Sequence, residues 1–244
     1  MKKIVSIVLV LLVITSCGVG NTRNSSLAKT NSIKEKEWKI LFDGSSLDNF
    51  KEYLKDEVSD NWKIEDNAIV FHPPKERKRR ETFNIVTKEN FTDFVLSLEW
   101  RISEAGNSGI FWGVKEIEEL TYPFETGPEI QVLDNEKHPD AKAGLSHQSG
   151  ALYDLVDPVK DATKPVGEWN TYVITINHKI NKGIVVLNGT KTVEFPLSGS
   201  EWDALIASSK FRDWEYFGKY PTGKIGFQDH GNMVAFRNIK IKEL

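Results

Sequence analysis

The run from Phe94 to Ser103 constrains this chain more than any other segment. Phe94, Leu96, Leu98, Trp100 and Ile102 alternate with Val95, Ser97, Glu99, Arg101 and Ser103. A period of two places the apolar set on one face of an extended strand, whereas a helix would scatter it around its axis. The same alternation recurs where Tyr172, Ile174 and Ile176 interleave with Thr171, Val173 and Thr175. Turn signals punctuate the pattern at Asp66-Asn67, Asn107-Ser108-Gly109, Asn181-Lys182-Gly183 and Asn188-Gly189. Gly183 to Phe195 reads as a hairpin turning at Asn188-Gly189, and Glu201 to Ser209 as the one helix, capped by Ser200. Many short strands with one apolar face each bury that face by stacking two sheets. The expected fold is therefore all-β, a two-sheet jelly-roll sandwich.

The ends of this pattern set the domain limits. Lys2 and Lys3 precede an apolar run from Ile4 to Val13, too short to span a bilayer comfortably, which reads as an export signal. Ile14-Thr15-Ser16-Cys17 resembles a lipobox, so Cys17 is the expected lipidation site and residues 1–17 the signal. Residues 18–37 are rich in Asn, Ser, Thr and Lys and read as a flexible tether. The expectation is a lipid-anchored protein of the cell envelope, at the outer membrane facing the periplasm. The domain itself spans 38–244, large enough for one core. Cys17 is the only cysteine, which leaves no intramolecular disulfide and, once lipidated, no catalytic thiol.

The chain carries a formal net charge of −3 from 32 basic and 35 acidic side chains. Without Lys2 and Lys3 the balance is 30 against 35, or −5. A mildly acidic exported domain is poorly suited to nucleic acid. The basic run Lys75-Glu76-Arg77-Lys78-Arg79-Arg80 follows two prolines, lacks aromatic residues and reads as a solvated loop.

The polar side of the strands carries the functional signal. In Glu129-Ile130-Gln131-Val132, turning Ile130 and Val132 inward turns Glu129 and Gln131 outward. The same reasoning sends Glu99 and Arg101 outward, and Gln228 and His230 outward beside the inward Ile225 and Phe227. If these strands share a sheet, two carboxylates, two amides, an arginine and an imidazole line one face, a donor and acceptor set suited to a sugar or other polyol. Among seven tryptophans, Trp112 and Trp169 are the candidates for stacking on pyranose rings, and Tyr153 is a further substrate-binding candidate. Asp229 falls on the core-facing side and reads as structural. Asp134, His138 and His147 flank a polar loop without the tight spacing of a metal site; no cofactor is expected, and a divalent metal stays open.

Several segments in order resemble the 3-keto-disaccharide hydrolase domain family. They are Leu41-Phe42-Asp43-Gly44-Ser45-Ser46-Leu47, Gly106-Asn107-Ser108-Gly109-Ile110-Phe111, Glu129-Ile130-Gln131-Val132-Leu133-Asp134, Gly167-Glu168-Trp169-Asn170-Thr171-Tyr172, Gly226-Phe227-Gln228-Asp229-His230-Gly231 and Arg237-Asn238-Ile239-Lys240-Ile241. The resemblance implies a concanavalin-like jelly roll acting on glycosides whose C3 hydroxyl a separate sugar 3-dehydrogenase has oxidised. Such a ketone acidifies the C2 proton, so a base removes it and the C1 substituent is eliminated. Glu129 or His230 is the expected base and Arg101 the expected enolate stabiliser, with Glu99, Gln131 and Gln228 on the sugar. Direct hydrolysis by Glu99 and Glu129 is an alternative. A non-catalytic carbohydrate-binding lipoprotein is the alternative outside the enzyme class.

Overall fold

The computed structural model describes residues 37–244. The expected signal, Cys17 and all of the tether but Glu37 lie outside the described residues. The strands are β1 (Lys39–Phe42), β2 (Phe50–Glu52), β3 (Trp62–Glu65), β4 (Ala68–Phe71), β5 (Ile85–Thr87), β6 (Phe94–Ile102), β7 (Asn107–Val114), β8 (Glu129–Leu133), β9 (Asn170–Asn177), β10 (Lys182–Leu187), β11 (Thr190–Phe195), β12 (Lys224–Phe227) and β13 (Val234–Glu243), with one helix, α1 (Gly199–Ala207). They form two sheets. One has eight strands in the order β11-β10-β9-β6-β13-β4-β3 with β1 also on β13, and the other has five in the order β2-β5-β12-β7-β8. All their pairings are antiparallel.

The core lies between the sheets and uses the side chains that the alternation selects. Leu96, Leu98 and Trp100 of β6 and Tyr172, Ile174 and Ile176 of β9 come from one side, and Ile110 of β7, Ile130 and Val132 of β8 and Ile225 and Phe227 of β12 from the other. Trp100 is buried against Tyr172, the ring centroids 5.6 Å apart. Truncating such a side chain to alanine costs about 3–5 kcal/mol. The hairpin forms as expected: Leu187 pairs with Thr190 across Asn188 and Gly189, whose φ values of 49° and 80° fit the two left-handed positions of a tight turn.

Three local expectations are corrected. Asn107-Ser108-Gly109 is not a turn but the start of β7, with Asn107 opposite Leu133. The turn falls one step earlier, at Ala105 (φ 50°), because Asp134 holds it: Asp134 Oδ2 accepts from the Ala105 N–H at 2.7 Å and the Asp134 N–H donates to the Gly106 carbonyl at 3.0 Å. The helix begins at Gly199, and its N-cap is Ser198 rather than Ser200. The Ser198 hydroxyl donates to Asn181 Oδ1 instead of capping the helix. The third correction bears on the site. β6 belongs to the eight-stranded sheet, whereas β8 and β12 belong to the five-stranded one. Glu99 and Arg101 thus face solvent on the opposite side of the sandwich from Glu129, Gln131 and Gln228.

Candidate active site

The site is built on the outer face of the five-stranded sheet. Glu129 and Gln131 project from β8, and their neighbour on β7 is Gly109, which pairs with Gln131. A Cβ at Gly109 would stand 1.9 Å from Glu129 Oε1, so the missing side chain is the space that the Glu129 carboxyl occupies. On the other side of β7, the Gln228 N–H donates to the Gly109 carbonyl at 2.9 Å and brings the Gln228 side chain over the same spot.

This face is roofed, which periodicity alone did not indicate. Residues 150–153 run along the free edge of β8: the Tyr153 N–H donates to the Glu129 carbonyl at 2.9 Å, and the Gln131 N–H donates to the Ala151 carbonyl at 3.2 Å. The chain after α1 then folds Lys210, Phe211 and Trp214 over the strand. The result is a cavity of about 130 Å3 with a polar floor of Asn107, Glu129, Gln131 and Gln228 and an aromatic wall of Phe124, Tyr153, Phe211 and Trp214. Lys210 and His230 complete it. Asn107, Tyr153 and His230 also border an outer trough of about 420 Å3 that adds His138 and Asp140. The trough brings the site into the size range of small-molecule pockets, about 300–1,000 Å3.

Burial sets the electrostatics. Glu129 is 7 % exposed, and loss of water pushes its pKa up to about 8, with the Lys210 ammonium opposing, Asp140 adding to the rise and a Gln228 hydrogen bond lowering it. Tyr153 is pushed up by burial and then by the Asp140 and Glu129 carboxylates. Lys210 is lowered by partial loss of water, against the attraction of Glu129, Asp154 and Asp140. His230 sits on the exposed rim, its ring 5.8 Å from that of His138. Loss of water on its inner side and the His138 charge lower its pKa, while Asp140 and a hydrogen bond with Asn232 act the other way.

The floor is also under-satisfied. Gln131 Nε2, Gln228 Oε1 and Asn107 Oδ1 are buried without a hydrogen-bond partner among the described residues. A buried polar group left unpaired costs about 1–3 kcal/mol, and a ligand rich in hydroxyls supplies the missing donors and acceptors.

Five of the expected residues therefore meet in one place: Glu129, Gln131, Tyr153, Gln228 and His230. Four do not. Glu99 pairs with Arg237 at 2.6 Å on the outer face of the eight-stranded sheet. Arg101 and Arg237 stack on Trp169 at 4.8 and 4.0 Å, and Trp169 packs on Ala68, Val70 and Ala235 of that sheet. Trp112 points into the core against Phe195, centroids 5.6 Å apart. The alternation gave the outward faces of β6 and β8 correctly, but Glu99, Arg101 and Trp169 lie on the other sheet, and Trp112 faces inward because it shares the core side of β7 with Ile110. Arg101→Ala is accordingly expected to leave substrate turnover unchanged, whereas a loss comparable to that of a Glu129 variant would overturn this placement.

Lys210, Asn107, Asp140, Phe124, Phe211 and Trp214 escaped the sequence reading. The dense aromatic run Phe211, Trp214, Tyr216 and Phe217 just after the helix was the available signal. Asp229 is structural as expected: its carboxylate accepts from the Phe83 N–H at 2.6 Å and from Arg77, which withdraws one cation from the basic loop. The residues weighed for a metal are engaged otherwise. Asp134 accepts from backbone N–H groups, and His147 lies between Asp140 and Asp154. Among the described residues no group of three or more His, Cys, Asp and Glu is arranged to hold a metal ion.

Comparison with known proteins follows the same lines. Residues 37–242 match the 3-keto-alpha-glucoside-1,2-lyase-like domain. A 3-keto-disaccharide hydrolase of Bacteroides thetaiotaomicron is 36 % identical over 228 residues, covering 84 % of this chain and 77 % of that protein. A crystal structure of a candidate glycosyl hydrolase from Parabacteroides distasonis superposes with a TM-score of 0.77 at 31 % identity, covering 85 % of this chain and 94 % of the other. The catalytic domain of an endo-1,3-beta-glucanase (laminarinase) from Thermotoga petrophila shares the fold alone, with a TM-score of 0.50 at 11 % identity over 85 % of this chain and 98 % of the other.

Proposed function

This chain belongs to the 3-keto-alpha-glucoside-1,2-lyase-like domain family, and from that premise we propose that the Glu129 cavity is the active site of a glycoside-degrading enzyme acting on sugars with a ketone at C3. The observation that carries the reading is a crossed pair of titratable groups. Glu129 is held protonated toward about pH 8, and His230, on the same cavity, is held neutral below its usual range. Environments that push an acid up and a base down divide the roles of proton donor and acceptor between them at neutral pH.

The chemistry follows from the ketone. His230 takes the C2 proton, and the electron pair moves onto the C3 oxygen as an enolate. Lys210 fills the role expected of Arg101: its ammonium stands 2.9 Å from the Tyr153 hydroxyl and has further N–H donors for that oxygen. The enolate collapses to a C1–C2 double bond as the C1–O bond breaks, and the Glu129 carboxyl gives its proton to the leaving oxygen. Addition of water, its hydroxyl to C1 and its proton to C2, completes the overall hydrolysis. Gln131, Gln228 and Asn107 hold ring hydroxyls through the buried groups that have no partner among the described residues. The C1–O bond falls where cavity and trough meet, at Asn107, Tyr153 and His230, so the trough takes the leaving group.

The test is incubation with a 3-keto-glucoside and its unoxidised parent in heavy water, followed by NMR. Release of the aglycone from the keto sugar alone, with loss or exchange of the C2 proton, is the expected result. Saturable binding with neither compound changed would make the protein a carbohydrate-binding module instead. His230→Ala is expected to lower kcat/KM by about 10²–10⁴-fold, the usual worth of a general base. The pH profile of kcat/KM is expected to be a bell, with its acid limb below 6.5 from His230 and its alkaline limb near 8 from Glu129. A single rising limb would exclude Glu129 as the proton donor.

We also propose that the enzyme works at the cell envelope, tethered through a lipid on Cys17. The support is the run of Lys2, Lys3, apolar residues and Ile14-Thr15-Ser16-Cys17. Cys17→Ser is expected to move the protein from the membrane to the soluble fraction and to abolish its labelling by a fatty acid.

A further inference from the structure

Behind the cavity wall one imidazole stands between two carboxylates. His147 Nδ1 lies 2.9 Å from Asp140 Oδ1, and Nε2 lies 3.0 Å from Asp154 Oδ1. An ionised carboxylate only accepts, so a ring with one carboxylate at each nitrogen is placed to donate from both. Its side chain is 14 % exposed, and its ring and that of Tyr153 meet in a T-shaped arrangement with centroids 4.6 Å apart. Each carboxylate engages a cavity-lining residue through its second oxygen. Asp140 Oδ2 accepts from the Tyr153 hydroxyl at 3.1 Å, and Asp154 Oδ2 accepts from the Lys210 backbone N–H at 2.8 Å. Lys210 Nζ donates to the Tyr153 oxygen at 2.9 Å and closes the circuit. Asp154 holds a left-handed backbone (φ 58°), a conformation that persists in a non-glycine residue when its surroundings fix it.

The circuit ties together three pieces of chain without regular strand or α-helical structure. Asp140 and His147 lie on short 3-10 turns (Pro139–Lys142 and Leu145–His147), Tyr153 and Asp154 at the free edge of β8, and Lys210 after α1. Two carboxylates stand in the circuit against one ammonium, so a proton on both nitrogens of the ring would bring its formal charges to zero. We infer that His147 is a positioning residue of the reaction, a buried cation shared by Asp140 and Asp154 that holds Tyr153 and Lys210 at the cavity wall and shields Glu129 from uncompensated negative charge. The positioning part rests on the catalytic reading above, whereas the charge state of the ring does not.

The groups facing each partner define what removal does. Glu129 faces Lys210 and Asp140, with Tyr153 and His230 on the same cavity. His147 faces Asp140, Asp154 and the Tyr153 ring, with Lys210 one bond further round the circuit. Without the imidazolium, Asp140 and Asp154 leave a net negative charge beside Glu129, which makes its ionisation harder.

The full chain is tested as wild type, His147→Gln and His147→Arg with a 3-keto-glucoside. His147→Gln is expected to lose about 10–100-fold in kcat, as misplaced reacting groups do, and to shift the alkaline limb of kcat/KM upward. His147→Arg, which keeps the charge and two donors, is expected to return the limb toward wild type. A folded His147→Gln protein whose limb stays in place, however much less stable it is, overturns the inference. Imidazole 15N shifts of the wild type provide a readout without turnover: both His147 nitrogens protonated at pH 7 supports the inference, and one bare nitrogen overturns it. Should the wild type leave every 3-keto-glucoside intact, the catalytic reading fails, and the 15N result still decides the state of His147.

Discussion

Glu129→Gln is expected to lower turnover of a 3-keto-glycoside by about 10²–10⁴-fold and at the same time to stabilise the fold at alkaline pH. The two effects have one cause. A carboxyl 7 % exposed on a floor of amides resists ionisation, so its folded-state pKa of about 8 stands above its ordinary 4.5. Below pH 4.5 the folded and unfolded chains both carry the proton, and the group costs nothing through ionisation. Between 4.5 and about 8 the unfolded chain gives up the proton while the folded chain keeps it. Stability falls through that window and then levels off. The full difference is at most about 4–5 kcal/mol. Glutamine keeps the shape and a donor but has no proton to transfer, so it removes both the penalty and the chemistry. Thermal melts of wild type and variant are expected to converge near pH 4 and to separate above pH 8 with the variant higher. The alkaline limb of any residual activity is expected to disappear. A variant as active as wild type, or less stable than it at pH 9, would contradict this account of the site.

Gly109→Ala is the second large effect, and it removes no functional group. The alanine methyl would lie 1.9 Å from Glu129 Oε1 and 2.5 Å from its Cδ, well inside contact distance. The backbone at Gly109 is not left-handed, and its pairing with Gln131 in β7 and β8 does not depend on the residue being glycine. The sheet is therefore expected to keep its register while the Glu129 side chain is driven out of its place. Loss of kcat/KM by about 10²-fold or more is expected, because displacement of a reacting group by about 1 Å already has that effect. Near-native circular dichroism would show that the loss comes from the carboxyl and not from the fold. Retention of activity within a few-fold would mean that the Glu129 position is not what the reaction uses. The pair of variants separates two ideas: one tests the proton on Glu129, the other the place where it is held.

Much of the sandwich was legible because a strand's two faces are written into its own residues. β6 and β9 show it: buried positions alternate without exception along Phe94–Ile102 and Asn170–Asn177, as the alternation requires. Asn188-Gly189 likewise encodes its own turn, since both positions need the left-handed backbone that these residues tolerate. The candidate site was legible in part for the same reason. Glu129 and Gln131 face away from Ile130 and Val132, and Gln228 away from Phe227. Local signals failed where a distant partner decided the outcome. Asn107-Ser108-Gly109 has turn composition, yet it pairs as a strand because Asp134, far along the chain, holds the turn at Ala105.

By itself, then, the sequence determined which residues of each strand face inward, where the hairpin turns and which polar side chains stand outward, because these depend on a period of two and on local backbone preferences. Only the tertiary structure decided which strands are neighbours, and so whether outward residues meet. It left Arg101, Glu99 and Trp169 on the far sheet and brought Lys210, 81 positions further along the sequence, to the Glu129 cavity. It also decided that the floor is buried, since the roof comes from segments 150–153 and 210–214 that no alternation in β8 specifies. Sheet order is settled by the energy of the whole core, and the perturbed acidity of Glu129 by the water that the roof excludes, and neither is a property of any short stretch of chain.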